Sequence, residues 1–251
     1  MNQMPPVTKN LLIINILCFL GMYVGRMYGI DINDLFGLHF VLASHFMPYQ
    51  LLTYMFMHGN LEHIFFNMFA LWMFGRIIEQ VMGSRRFLFY YLVCGLGAGL
   101  IQEGVQMVHY SMMEHVTEAM NCGQLIKGNF VVVDGQAMDI NAWDTVGASG
   151  AIYGILLAFG LIFPEERMFI FPLPVPIRAK FFVIGYALIE LLAAHSNDGV
   201  AHYAHLGGML FGLLLLIVWS DIGDNDLLRR LRKPFHHRRK NDGMNIYRRN
   251  Y

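Results

Sequence analysis

The chain has 251 residues, of which 56% are hydrophobic and 14% charged, and its mean hydropathy is +0.44. A soluble domain carries charge on about a quarter of its residues, so this composition argues against one and for a chain that lives in a bilayer. The balance of 18 Lys and Arg against 18 Asp and Glu hides an asymmetry, because nine of the cations follow Ile222, from Arg229 to Arg249.

Six apolar stretches approach the roughly 20 residues that a helix needs to cross a membrane. They lie near 10–28, 58–79, 87–108, 147–164, 178–196 and 201–220. The expected architecture is therefore all-α: a polytopic membrane domain over residues 1–221, followed by a disordered basic tail over 222–251. Two long connections interrupt the spans. That at 29–57 is mixed, with Leu35, Phe36, Phe40, Phe46, Leu51 and Tyr54 among polar residues, and should pack against the helices. That at 109–146 contains Phe130-Val131-Val132-Val133-Asp134-Gly135, a short strand running into a turn.

Sixteen of the 18 cations fall on one side if the N-terminus is cytoplasmic; Arg26 and Lys127 alone fall outside. This is a strong positive-inside bias and places both termini in the cytoplasm. Basic residues after an apolar span fit lipid headgroups better than nucleic acid. The cysteines, Cys18, Cys94 and Cys122, suggest no disulfide pair. The N-terminus shows no cleavable signal peptide. Small size and the lack of a transit peptide point to a bacterial plasma membrane.

The residues with chemistry lie inside the apolar segments. Ser149, in Gly147-Ala148-Ser149-Gly150, and His205, in Ala204-His205-Leu206-Gly207-Gly208, fall at similar shallow depth near the outer ends of the fourth and sixth spans. Burying either alone costs about 2–7 kcal/mol; together they can satisfy one another. Gly147, Gly150 and Gly154 on one helix and Gly207, Gly208 and Gly212 on the other allow the close approach such a pair needs. A serine whose proton can pass to a neutral imidazole is a nucleophile. Tyr153, one turn after Ser149, can pack against the imidazole.

His58, Gly59, Asn60, Glu62, His63 and Asn67 cluster at the start of the second span. His63 and Asn67 are four apart and point the same way, and with the backbone N–H of Ser149 they could donate to an oxyanion. His58 faces elsewhere and could support His63 or the loop. A metal site is disfavoured, since there is no HExxH motif and the five-residue His58/His63 spacing does not put two ligands on one helix face. Glu190 in the fifth span reads as a polar partner near the cavity rather than a gate, and His202 as a structural or loop residue.

These motifs, in this order, resemble the rhomboid family of intramembrane serine proteases over roughly residues 7–220. The resemblance rests on His58, His63 and Asn67, on the Gly-Ala-Ser-Gly run with Tyr153, and on Ala204-His205 followed by Gly208 and Gly212. It implies a six-helix bundle with a Ser149–His205 dyad and an oxyanion hole of His63, Asn67 and the Ser149 amide. It also implies no cofactor, a cavity opening to the outer side, and single-pass membrane proteins as substrates. The family often has Trp-Arg in the first outer loop where Tyr49-Gln50 stands here. Alternative readings are a catalytically inactive relative that binds membrane proteins and a small proton-coupled transporter.

Overall fold

The computed structural model describes residues 3–121, 124–133, 135–169, 175–194 and 200–221. Its helices are α1 (Pro6–Met27), α2 (Ile32–Phe36), α3 (Gln50–Thr53), α4 (Leu61–Ala70), α5 (Arg76–Met82), α6 (Ser84–Met112), α7 (Ser149–Ile162), α8 (Ala179–Ala193) and α9 (His202–Asp221). The strands are β1 (Leu38–His39), β2 (His115–Asn121), β3 (Gln124–Val133), β4 (Gln136–Asp139), β5 (Asp144–Thr145), β6 (Arg167–Met168) and β7 (Ile177–Arg178). The basic tail, Cys122, Asp134 and Asp198 lie outside the described residues.

Each of the six apolar stretches falls on a helix, and among the described residues four helical stretches are long and apolar enough to cross a membrane: Pro6–Met27, Leu61–Met82, Ser84–Met112 and His202–Trp219. The second of these is α4 and α5 joined by a π-helical turn at Leu71–Gly75. The helices α7 and α8 are shorter, with 14 and 15 residues. The molecule is mostly helical rather than all-α, because the connection after α6 carries a three-stranded antiparallel sheet in the order β2-β3-β4. The Phe130–Val133 run is the apolar end of β3. Its polar first half is strand because it pairs with β2, with Ala119 opposite Ile126, and that support comes from a neighbour rather than from its own pattern.

The two long connections close on each other. β1 pairs with β5, Leu38 opposite Thr145, and Phe40, Ala43, Val131 and Ile140 form a small core of their own. Gln50 is buried at the centre of the first connection. Its amide donates to the Leu35 and His45 carbonyls, and its Oε1 accepts from the Met47 and His39 amides. One side chain thereby satisfies four backbone groups of this irregular segment.

The helices present apolar side chains outward and bury large apolar residues together with small and polar ones inward. α1 buries Leu11, Asn15, Phe19 and Met22 along one stripe, while Ile13, Leu17, Leu20 and Val24 face out. Its N-terminus is anchored by Glu79 of α5, whose carboxylate accepts from the Val7 and Thr8 amides and from the Thr8 and Ser84 hydroxyls. A carboxylate at the positive end of a helix satisfies its otherwise unpaired N–H groups.

The tightest packing joins α6, α7 and α9. A Cβ on Gly208 would collide with the backbone carbonyl of Gly150; one on Gly150 would meet Ala98; one on Gly154 would meet Cys94. Gly207 lies against Ile101, and Gly212 against the Tyr90 hydroxyl, which itself donates to the Gly154 carbonyl at 2.8 Å.

Gly208→Ala is expected to destabilise the fold by about 1–3 kcal/mol or more, read as a lower thermal midpoint in detergent. Gly104→Ala on α6, where a Cβ meets nothing within 4 Å, should instead be neutral or stabilising. Glu79→Ala leaves four donors near the α1 N-terminus without their acceptor and should cost about 1–3 kcal/mol in the same assay.

Candidate functional site

Ser149 is the first residue of α7, and the backbone before it is shaped by Gly147. Gly147 has a φ of +133°, its N–H donates to the Tyr54 carbonyl at 2.9 Å, and an added Cβ would stand 2.8 Å from the His63 imidazole. Tyr54 in turn donates its hydroxyl to the Gly95 carbonyl of α6 at 2.6 Å. The turn that delivers Ser149 is thus tied to α6 and passes directly beneath His63.

His205 comes from the first turn and a half of α9. Its Nε2 lies 2.8 Å from Ser149 Oγ, a contact made possible by Gly208 pressing on the Gly150 carbonyl one turn further along. The Tyr153 ring stacks on the imidazole, with centroids 4.2 Å apart and planes 7° from parallel. A hydroxyl and an imidazole in this relation can exchange a proton, and the stacked ring fixes the plane in which that happens.

The opposite edge of the imidazole, at Nδ1, meets a carboxylate that the sequence alone marks only as a polar partner near the cavity. Glu190 of α8 is 5% exposed. Its Oε2 accepts from Nδ1 of His205 at 2.9 Å and from Nδ1 of His202 at 2.6 Å, and its Oε1 accepts from the Tyr153 hydroxyl. His202 is therefore joined to the same centre as His205 through one carboxylate. The signal for this was present: a carboxylate inside an apolar segment needs donors, and two histidines three apart on the next segment supply them.

His63 lies beside Ser149, against Gly147, and its ring packs edge-on to His58 with centroids 5.1 Å apart. The start of α4 is capped by Asn60, whose side chain accepts from the His63 amide at 2.7 Å. Asn67, four residues after His63, is buried. His58 is fully buried and its ring nitrogens have no hydrogen-bond partner among the described residues. Asp144, on the N-terminal side of Ser149 beyond Thr145 and Gly147, stands on β5 opposite His39 and belongs to the junction of the two connections.

Among the described residues two groups gather potential metal donors, Glu190 with His202 and His205, and Asp34 with His39 and His45. In the first, the two Nδ1 atoms already face one carboxylate oxygen. In the second, the His39 nitrogens face the Asn141 and Asp34 carbonyls, and His45 Nδ1 faces Asp34 Oδ1. Hydrogen bonds between these groups engage the atoms a metal would need.

A rhomboid-domain family model matches residues 45–221. Among curated relatives, the human presenilin-associated rhomboid-like protein, mitochondrial, is 28% identical over 198 residues, covering 76% of this chain and 42% of its own. Rhomboid-like protein 16, chloroplastic, of Arabidopsis thaliana is 27% identical over 176 residues, covering 69% and 49%. Rhomboid protein 1, mitochondrial, of Saccharomyces cerevisiae is 26% identical over 177 residues, covering 70% and 43%. The chain spans less than half the length of these relatives. Their mitochondrial and chloroplast names overturn the assignment to a bacterial plasma membrane; size and the look of one terminus do not distinguish compartments. Residence in a membrane stands on the apolar helices, and with a match over most of its length the chain belongs to the rhomboid family.

Proposed function

We propose that this chain is an intramembrane serine endopeptidase that cuts single-pass membrane proteins within or near their transmembrane helix. The observation that carries the reading is the 2.8 Å contact between Ser149 Oγ and His205 Nε2, made between two apolar helices. Nothing in packing alone requires a hydroxyl and an imidazole there. Membership of the rhomboid family supports it. In this reading residues 1–221 form one membrane domain in which α7 and α8 complete a set of six spans.

Ser149 attacks the scissile carbonyl while His205 takes its proton, and His205 then protonates the leaving amine. Water hydrolyses the acyl-enzyme with the same imidazole as base. The negative charge on the tetrahedral intermediate is met by His63, Asn67 and the Ser149 backbone N–H. As the first residue of α7, Ser149 has an amide without an intrahelical acceptor, at the positive end of the helix. Each such donor is worth about 3–4 kcal/mol in comparable sites. Tyr153 holds the imidazole plane, and Gly147, Gly150, Gly208 and Gly212 set the spacing. No cofactor is required.

The test is cleavage of a fluorescent single-pass substrate by purified protein, with Ser149→Ala and His205→Ala alongside. Each should lose activity to background, by a similar factor, because nucleophile and base act as a unit. Labelling by a fluorophosphonate should vanish with Ser149. Cleavage by Ser149→Ala would sink the mechanism. A folded wild type that cuts no substrate and takes no label would mark a relative that binds without cutting.

Gly147→Ala places a methyl against the His63 ring at a backbone conformation that alanine rarely adopts. It should lower kcat by about tenfold or more, consistent with loss of part of one oxyanion donor. Gly135→Ala, also at positive φ but with open space around it, should leave kcat unchanged.

A further inference from the structure

We propose that Glu190 is a positioning residue for the base, so that the working unit is Ser149–His205–Glu190, drawn from α7, α9 and α8. The proposal rests on the reading of Ser149 and His205 given above and deepens it.

The argument begins with donors and acceptors. An ionised carboxylate accepts hydrogen bonds and donates none. Among the described residues Glu190 receives three, from His202 Nδ1, His205 Nδ1 and the Tyr153 hydroxyl. No Lys or Arg takes part in these bonds; the donors are two imidazole N–H groups and one hydroxyl arranged around one carboxylate. Three donated bonds replace the water that a buried carboxylate has lost.

The consequence for His205 is a fixed tautomer. Since Nδ1 must carry the proton that Glu190 accepts, Nε2 of the neutral ring presents its lone pair, and Nε2 is the atom facing Ser149 Oγ. The opposite tautomer would point an N–H at the hydroxyl and could not take its proton. When His205 becomes an imidazolium during attack, the carboxylate lies 2.9 Å from the nitrogen, in a setting of low polarity where such a charge counts for more than in water. The proton taken from Ser149 sits on Nε2 until it passes to the leaving amine, and that on Nδ1 remains hydrogen-bonded to Glu190 throughout.

Tyr153 couples the parts. Its ring lies flat on His205 while its hydroxyl holds Glu190, so one side chain orients both the base and the base's partner. His202 holds the same carboxylate oxygen from one turn earlier on α9, whereas the imidazole that faces Ser149 Oγ is that of His205. His202 serves as an internal control, because its loss removes a donor to Glu190 without touching the His205–Ser149 contact.

The experiment compares wild type with Glu190→Gln, Glu190→Asp, His202→Gln and Tyr153→Phe in detergent, measuring kcat and KM separately on the single-pass substrate, with thermal midpoints. Glu190→Gln should lower kcat by about 10²- to 10⁴-fold, as loss of the carboxylate does in a soluble serine protease, and leave KM within about twofold. Glu190→Asp, which keeps the charge, should recover at least about tenfold over the Gln variant, and His202→Gln should lose less than about tenfold. If Glu190→Gln does not fold, Tyr153→Phe decides, since it keeps the stacked ring and removes only the hydroxyl. A kcat loss of about tenfold at unchanged KM supports the proposal, and an unchanged kcat overturns it. A folded Glu190→Gln with kcat within about threefold of wild type overturns it outright, while inactive Ser149→Ala and His205→Ala proteins in the same series leave the underlying reading intact. Cleavage by Ser149→Ala would instead remove that reading itself.

Discussion

The close approach of α7 and α9 is the constraint on which the rest of the site depends. Gly208 lies against the Gly150 carbonyl with no room for a Cβ, and only at that separation can the side chain of His205 reach a serine as short as Ser149. Hydrocarbon offers no hydrophobic drive to bring two apolar helices together, because lipid tails are as apolar as leucine. Backbone proximity through small residues, with the dispersion and hydrogen bonding it permits, has to supply it. The third member, α6, closes the packing through Ala98, Cys94 and Ile101. Helix contact and site geometry are therefore one problem with one solution, and a single methyl at the crossing disturbs both.

The second theme is how the molecule disposes of buried polar groups. Glu79 takes two amides and two hydroxyls at the start of α1. Gln50 uses both ends of its amide four times within the first connection. Glu103 accepts from the Val41 amide at 2.7 Å. Each stitches an irregular segment or a helix end to the bundle, and each has backbone groups among its partners. Glu190 differs in kind. Its partners are all side chains that can move protons or orient those that do, from α7 and α9. That contrast separates a structural carboxylate from one that joins the Ser149–His205 pair.

Much of this was legible in the residues. The six apolar stretches all fall on helices, and the glycines around Ser149 and His205 marked the helix contact before any geometry was known. What could not be read was governed by pairing across long distances in the chain. The polar half of β3 is strand because β2 lies beside it, and Gln50 matters because four backbone groups converge on it. Glu190 showed in the sequence as an ionisable oddity with no stated partner. Its meaning depends on α8 lying where His202 and His205 both reach it, which hydropathy along one segment does not encode. Span counting from composition also reaches a limit with α7 and α8, whose apolar character is plain and whose length is short.

That shortness bears on the chemistry. At 1.5 Å per residue, the 14 residues of α7 cover about 21 Å, against roughly 30 Å of hydrocarbon in a bilayer. On the six-span reading, a helix that reaches one surface at Ile162 begins at Ser149 well below the other. The residues from Asp144 to Ala148 then descend into the bundle as non-helical backbone, which is tolerated at membrane depth only where protein buries it or water reaches it. Tyr54 supplies the burial by accepting the Gly147 N–H and bonding to α6. The unpaired amides at the start of α7 supply the need for water or for an oxyanion. On the proposed function, placing the serine at a recessed helix start solves two requirements at once, since hydrolysis must admit water while a substrate segment remains within the membrane. A serine in the middle of a full-length span would have had its amide committed to the helix and no route for the water.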